Sequence, residues 1–84
     1  MHYIVADAVE IYYPAWVNRC KRDGVTIVST VNKVISTGLI ELRLNEGNST
    51  LDRFLLMLTR IGFVWGLHSQ VGNVVTIAIT GYMS

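Results

Sequence analysis

The last part of this chain is a long uncharged stretch that limits the folds open to it. From Ile61 to Ser84, twenty-four residues pass without an Asp, Glu, Lys or Arg. That length could span a bilayer as a helix, which needs about 20 residues. The stretch also contains four glycines together with His68, Gln70 and Asn73, and many of its apolar residues recur at every second position. Because this alternation is typical of β-strands, we expect a buried hairpin and no membrane insertion.

The hairpin is expected to consist of two strands joined by a tight turn. The letters FVWGLHSQ and NVVTIAITG fit the strands, and VGN between them fits a short β-turn. Apolar side chains alternate along both strands, which predicts one apolar face for each. Those faces carry Phe63, Trp65 and Leu67 on the first strand and Val75, Ile77 and Ile79 on the second.

The segment before the hairpin is typical of an amphipathic helix with defined ends. Ser49 is followed three residues later by Asp52, which fits a variant of the capping box at a helix start. Arg60 lies in the expected last turn, where a cation favours the helix dipole, and Gly62 follows as a stop. The apolar stripe of this helix has i, i+3, i+4, i+7 spacing and consists of Leu51, Phe54, Leu55 and Leu58.

The first half of the chain predicts a strand, a short helix and two further strands. Residues 2–6, HYIVA, fit a first strand, and residues 7–13 could extend that strand or begin a helix. Pro14 suits the first position of a helix that ends before Gly24. Two strands are then expected, at residues 25–31 and 39–44. Residues 32–38 between them could be helix, strand or loop.

These elements give the order β-α-β-β-α-β-β within one domain spanning residues 1–84. Helices that alternate with pairs of strands predict an α+β fold. The simplest arrangement is a ferredoxin-like two-layer sandwich, in which a mostly antiparallel sheet carries two helices on one face and an extra C-terminal strand.

The residues that could carry chemistry are few. Cys20 is the single cysteine, falls on the apolar side of its helix and is interpreted as a packed thiol. No Cys or His cluster has metal-ligand spacing, and the sequence has no glycine-rich phosphate loop. Arg19, Lys21 and Arg22 suit the end of a helix, and a net charge of +1 gives no field that would attract nucleic acid. We therefore expect no catalytic residues, metal, cofactor, nucleic-acid partner or enzymatic activity.

Composition instead favours association with other protein chains. Hydrophobic residues make up 51% before glycine is counted, against about 45–50% in ordinary chains with glycine included. Charged residues are 15%, against about 25%. A small domain cannot hide so much apolar surface alone, so we expect a homodimer, in the cytoplasm, where a lone cysteine stays reduced. The expected partner-binding residues are Leu56, on the polar side of its helix, and Trp65, Tyr12, Tyr13 and Trp16.

Residues 39–81 resemble the first part of an ACT domain, a small regulatory fold of amino-acid metabolism. The similarity covers a strand, a loop, a helix ended by an R-x-G-[FY] motif and a hairpin, and its matching positions are Leu51, Leu55, Leu58, Arg60, Gly62 and Phe63. The resemblance implies an effector site in the strand–helix loop and dimerisation through the sheet or the helices. The loop residues that it implies for ligand binding are Asn45, Gly47, Asn48 and Ser49.

Two functions follow as hypotheses. The first is a small non-enzymatic interaction module, a homodimer that binds a larger partner protein and inhibits or adapts it. The alternative rests on the ACT resemblance and is a regulatory domain that senses an amino acid or another small ligand at a subunit interface.

Overall fold

The computed structural model describes residues 1–83, which form three helices and one four-stranded antiparallel sheet. The α+β class expected from the sequence is confirmed, whereas the ferredoxin-like strand order is not. The structure has one helix more and one strand fewer than the sequence predicts. In chain order the elements are α1 (Tyr3–Arg22), β1 (Val25–Ile27), α2 (Val31–Thr37), β2 (Leu39–Leu44), α3 (Asp52–Arg60), β3 (Phe63–Val71) and β4 (Val74–Tyr82).

Helix α1 occupies the segment in which the sequence predicts a first strand, so the strand at residues 2–6 is wrong. The helix begins after His2, whose Nδ1 accepts a hydrogen bond from the backbone N–H of Ile4 at 3.2 Å. Pro14 lies inside the helix and does not begin it. Its missing N–H leaves the carbonyl of exposed Glu10 without the usual helical donor, on a side that faces water. One face of α1 is buried across this proline and contains Val5, Ala8, Val9, Trp16 and Cys20.

The segment predicted as a strand over residues 25–31 is divided between two elements. β1 contains only its first three residues, and α2 begins at Val31. The hydroxyl of Thr30 accepts a hydrogen bond from the N–H of Lys33 at 3.2 Å, which caps the new helix. The cap and the full burial of Val34 explain a helix where β-branched residues alone would favour a strand.

The strand order across the sheet is β1-β2-β4-β3, and every neighbouring pair is antiparallel. β2 and β3 both run antiparallel to β4, so they are parallel to each other with β4 between them. Because α3 connects β2 to β3, this part of the chain is a split β-α-β unit. The predicted strand at residues 39–44 and both predicted hairpin strands are therefore confirmed, and together they form three of the four strands of the sheet.

The core lies between one face of the sheet and the helices, mainly α1 and α3, with Val34 contributed by α2. Trp16 of α1 is fully buried, and its ring makes edge-to-face contacts with Phe54 of α3 at 6.1 Å and with Phe63 of β3 at 5.0 Å between centroids. Such aromatic pairs stabilise a core beyond the area that they bury. The strand side chains beneath them are Val25, Ile40, Leu42, Val75, Ile77 and Ile79.

The hairpin extends beyond the helix that packs on it. β3 and β4 have nine residues each, and α3 also has nine. A helix of that size is about 13 Å long, whereas such a strand is about 30 Å long. The strands are joined by a two-residue turn, in which Gly72 has a φ of 60°, as hairpin turns require. The end of the hairpin near this turn is therefore left uncovered by α3.

Within the described residues, no helix combines the length and apolarity needed to cross a membrane.

Candidate functional site

The loop between β2 and α3 is held by hydrogen bonds to its own protein. The Ser49 hydroxyl donates to the carbonyl oxygen of Gly24 at 2.8 Å and accepts from the N–H of Glu46 at 2.9 Å. The predicted capping box is therefore wrong, because Ser49 joins the loop to the end of α1. The N–H of Asp52 donates instead to the hydroxyl oxygen of Thr50 at 3.1 Å.

The four loop residues implied for ligand binding do not converge on one site. The side-chain amide of Asn45 donates to the Thr26 hydroxyl at 2.9 Å, and Ser49 is used as described, so both already serve the fold. Gly47 and Asn48 are exposed. Asn48 borders a polar recess of about 380 Å³ whose other side chains include Lys21, Arg22, Asp23, Glu46 and Arg53.

A larger, mostly apolar groove lies between α3 and the uncovered part of the hairpin. Its volume is about 510 Å³, within the usual range of small-ligand sites. Its wall is α3, with Leu55, and its floor is the sheet, with Leu67 and Ile77. Trp65 lies at its side, half-buried, and its indole N–H donates to the hydroxyl of Thr59 at 2.9 Å. Trp65 therefore presents ring surface to the groove while its polar atom is bonded to α3.

The aromatic residues of α1 belong largely to the interior. Trp16 has no exposed surface, so its predicted role at a partner interface is wrong. The Tyr13 hydroxyl donates to the carbonyl oxygen of Ser29 at 2.6 Å, and burial raises the pKa of Tyr13. Tyr12 is half-buried against Phe63 and Tyr82. The neighbouring Tyr12 side chain, more than burial, raises the pKa of Tyr82. Both tyrosines are thus engaged with this chain.

The outer edge of β3 is the longest exposed backbone edge in the sheet. β3 is last in the strand order, so its outer side has no strand beside it in residues 1–83. Leu67 is 63% exposed and Val71 is 75% exposed, and Val64 also faces solvent. The strand bulges at His68, between the Leu67–Ile77 pair and the Ser69–Thr76 pair. No residue of β3 is charged.

A second exposed surface, the arginine–leucine surface, consists of Arg19, Arg53, Leu56, Met57, Arg60 and Ile61. These residues border a shallow depression of about 540 Å³ on the outside of α3. Leu56 is 48% exposed at its centre, which agrees with the polar position expected from the sequence. The sequence predicts Arg60 only as a helix-end residue and gives no role to Arg53. The i, i+3, i+4, i+7 spacing of Arg53, Leu56, Met57 and Arg60 is the signal that could have revealed this surface.

Cys20 lies within the core and not at an exposed site. Its thiol is buried, and burial, together with the nearby negative charge of Asp23, raises its pKa to about 12. A neutral thiol of this kind is a poor nucleophile at ordinary pH. In the part of the chain that the structure describes, no three His, Cys, Asp or Glu side chains come together as a group that could hold a metal ion.

Comparison of the chain with known protein families, curated proteins and solved structures found no match.

Proposed function

We propose that this protein is a non-enzymatic interaction module that forms a homodimer and, as a dimer, binds and modulates a larger protein. The observation that carries the proposal is the outer edge of β3, which is long, uncharged and flanked by exposed apolar side chains. Proteins usually protect such an edge with charges, proline or a short strand. Here β3 contains neither Asp, Glu, Lys, Arg nor Pro, and its pairing with β4 is irregular at two places, between Val64 and Trp65 and between Leu67 and Ser69.

The chemistry of this edge specifies an extended chain as its occupant. A strand that pairs on one side only presents a row of free backbone N–H and C=O groups on the other. An added strand satisfies those groups through ladder hydrogen bonds and also covers the side chains on both faces of the edge. On β3 those side chains are Leu67 on the helix side and Val64 and Val71 on the opposite side.

A second copy of β3 fits this requirement well. In an antiparallel pair made by two identical strands, each strand faces its own sequence in reverse, and the interface is isologous. Like charges placed opposite each other destabilise such a pair, and β3 contains none. Leu67 is the central residue of Phe63–Val71, so a two-fold axis near it brings the two most central apolar side chains together.

The experiment on the dimer is sedimentation of the full chain over a range of concentrations. We expect wild-type protein to be a dimer and Leu67→Lys to be a monomer, because two lysines would then meet near the two-fold axis. Ile11→Lys is the matched control, since Ile11 is 72% exposed on α1 and lies away from β3. It should remain a dimer. A monomeric wild-type protein, or a dimeric Leu67→Lys variant, would contradict pairing through β3.

The modulating role is tested by affinity capture from a native lysate, read by mass spectrometry. We expect one specific larger protein to be recovered with wild-type protein and with Ile11→Lys. If repeated capture recovers no specific protein, the interaction module is the wrong function for this chain.

A second candidate function, a sensor of an amino acid or other small ligand, is favoured by the apolar groove beside α3. Leu67 lies in the groove and on the edge of β3, so in the proposed dimer a ligand there would sit next to the subunit interface. A thermal-shift panel of amino acids and nucleotides tests it. A ligand at 100 times its Kd should add about 2.7 kcal/mol to the free energy of unfolding. A flat panel would eliminate this candidate.

A further inference from the structure

The arginine–leucine surface combines positive charge with an apolar floor, and this pairing indicates the chemistry of its partner. We infer that it binds an acidic, amphipathic segment of the larger protein, with carboxylates on the arginines and an apolar side chain on Leu56. The inference rests on the proposed function, because it identifies the class of partner that the module recognises.

The surface is created by the packing of two helices that are distant in sequence. Arg53, Leu56 and Arg60 lie along the outer side of α3, one helical turn apart. Arg19 comes from the last turn of α1. The edge-to-face contact of Trp16 with Phe54 holds the two helices together, so the third arginine is brought beside the other two by the core.

The positive charge of this surface is not balanced by acids among the residues that line it, which include three arginines and no carboxylate. The polar recess next to it adds Lys21 and Arg22, together with the carboxylates of Asp23 and Glu46. The helix dipole explains cations in the last turns of α1 and α3. It does not explain Arg53, which lies in the first turn of α3, where a positive charge is unfavourable.

The apolar floor favours a protein segment over a nucleic acid. Leu56, Met57 and Ile61 form the floor, and no aromatic side chain lines the depression. Single-stranded nucleic acid is usually held by aromatic rings on which its bases stack. Arginine, in contrast, binds carboxylates through paired hydrogen bonds, and an exposed leucine among charges is the counterpart of an apolar residue on an amphipathic partner.

The test is selection of random peptides displayed on phage against immobilised full-chain protein. We expect enriched peptides to combine Asp or Glu with Leu, Ile or Phe. Their binding should weaken between 0.1 M and 1 M salt, as the screening length falls from about 10 Å to about 3 Å. Charge reversal in the double variant Arg53→Glu/Arg60→Glu should weaken binding at least about tenfold, which is about 1.4 kcal/mol. Leu56→Asp should weaken it as well.

The controls separate loss of this surface from loss of the fold. Glutamate at position 53 favours the helix dipole and glutamate at position 60 opposes it, so the double variant should keep nearly wild-type stability in urea. Arg43→Glu reverses an exposed arginine on the other face of the sheet and should bind peptides as wild type does. A selection with no acidic preference, or binding that is unchanged in the double variant, overturns the inference.

Two further outcomes keep the inference distinct from the proposed function. If an oligothymidylate binds and depends on Arg53 and Arg60 while no acidic peptide is enriched, the surface binds nucleic acid and the inference is wrong. If wild-type protein is a dimer and captures a specific protein but shows no preference for acidic peptides, only this inference fails.

Discussion

The two edges of the sheet are protected to very different degrees. β1 closes one edge with three residues, and the loops beside it are tied down by hydrogen bonds from Ser49 to Gly24 and between Asn45 and Thr26. β3 forms the other edge with nine uncharged residues, and its outer side has no neighbouring strand in residues 1–83. Natural sheets usually protect both edges, and the less protected edge is the one that the proposed dimer would use.

Because of this difference, we expect the β1 side to contribute more to the stability of the fold and the β3 side to carry the proposed association. On the β1 side, polar side chains bond to backbone atoms of the same chain, and α1 packs closely against the strand. On the β3 side, the strand pairs with β4 along its length, but its contacts with α1 and α3 lie near its start, at Phe63 and Trp65. Substitutions in the core should therefore affect both edges together, whereas substitutions near one edge should affect that edge first.

The largest effect is expected for Trp16→Ala, which removes the side chain that joins α1 to both α3 and β3. The cavity left behind should lower the free energy of unfolding by about 3–5 kcal/mol. Trp16→Phe should lower it by less than about 2 kcal/mol. The loss is smaller because phenylalanine keeps an aromatic ring at this position. The change also removes a buried indole N–H that has no hydrogen-bond partner within residues 1–83. Urea unfolding measures both variants, and equal losses would contradict the role assigned to the ring contacts.

The next effect is expected for Gly62→Ala, at the residue before β3. Gly62 has a φ of 105°, and a Cβ there would overlap the backbone carbonyl oxygen of Met83. We expect a loss of about 2–3 kcal/mol of unfolding free energy, because both the conformation and the overlap are unfavourable. Gly66→Ala is the matched control within β3, since its Cβ would meet no atom within 4 Å. That variant should unfold like wild type, and a similar loss in both would show that the start of the strand is not specially anchored.

The sequence predicted the second half of the fold well because its signals are local. The stripe of α3, the stop at Gly62 and the alternation of β4 each depend on neighbouring residues, and the structure confirms them. The expected burial of the whole hairpin is wrong, because β3 is mostly exposed beyond its first residue. The first half failed where packing overrides local preference. HYIVA favours a strand by composition, yet Val5, Val9 and Trp16 fall on one buried face of α1. Local propensity is a weak guide when such a face can be buried.

The sequence could predict single residues of the candidate surfaces but not their grouping. Leu56 was expected on the polar side of α3 and is exposed there. Trp16 was expected at an interface and is buried, because Tyr and Trp serve cores and interfaces through the same large area. The meeting of Arg19 with Arg53 and Arg60 depends on how α1 packs against α3, and no sequence spacing contains that information.

A smaller effect is expected for Ser49→Ala, on the β1 side. The change removes the hydroxyl that donates to Gly24 and accepts from Glu46. The loop then keeps only its backbone hydrogen bonds to the end of α1, from the N–H groups of Asn45 and Thr50. We expect the free energy of unfolding to fall by about 1–2 kcal/mol. Asn48→Ala, in the same loop but exposed, should have almost no effect. The dimer should persist in both variants, because neither touches β3. A monomeric Ser49→Ala variant would show that the two edges are not independent.

The smallest effect on the free energy of unfolding near neutral pH is expected from ionisation of the Cys20 thiol, at the end of α1. This effect should grow as the pH rises. Burial first, and Asp23 second, raise the pKa of this thiol to about 12 in the folded protein, whereas a free thiol titrates near 8.5. Between these values the unfolded chain has lost the thiol proton and the folded chain retains it, so the free energy of unfolding falls as pH rises. Below the lower value both states keep the proton, and the stability that the protonated thiol allows is fully present.

Thiolate absorbance should therefore appear at higher pH in native than in urea-unfolded protein. The stability of Cys20→Ala should depend less on pH over this range, and since both proteins share the same tyrosines, the difference between them isolates the thiol. Equal thiolate midpoints in native and unfolded protein would mean that water reaches Cys20, and that the β1 side is less closed than the hydrogen bonds around it indicate.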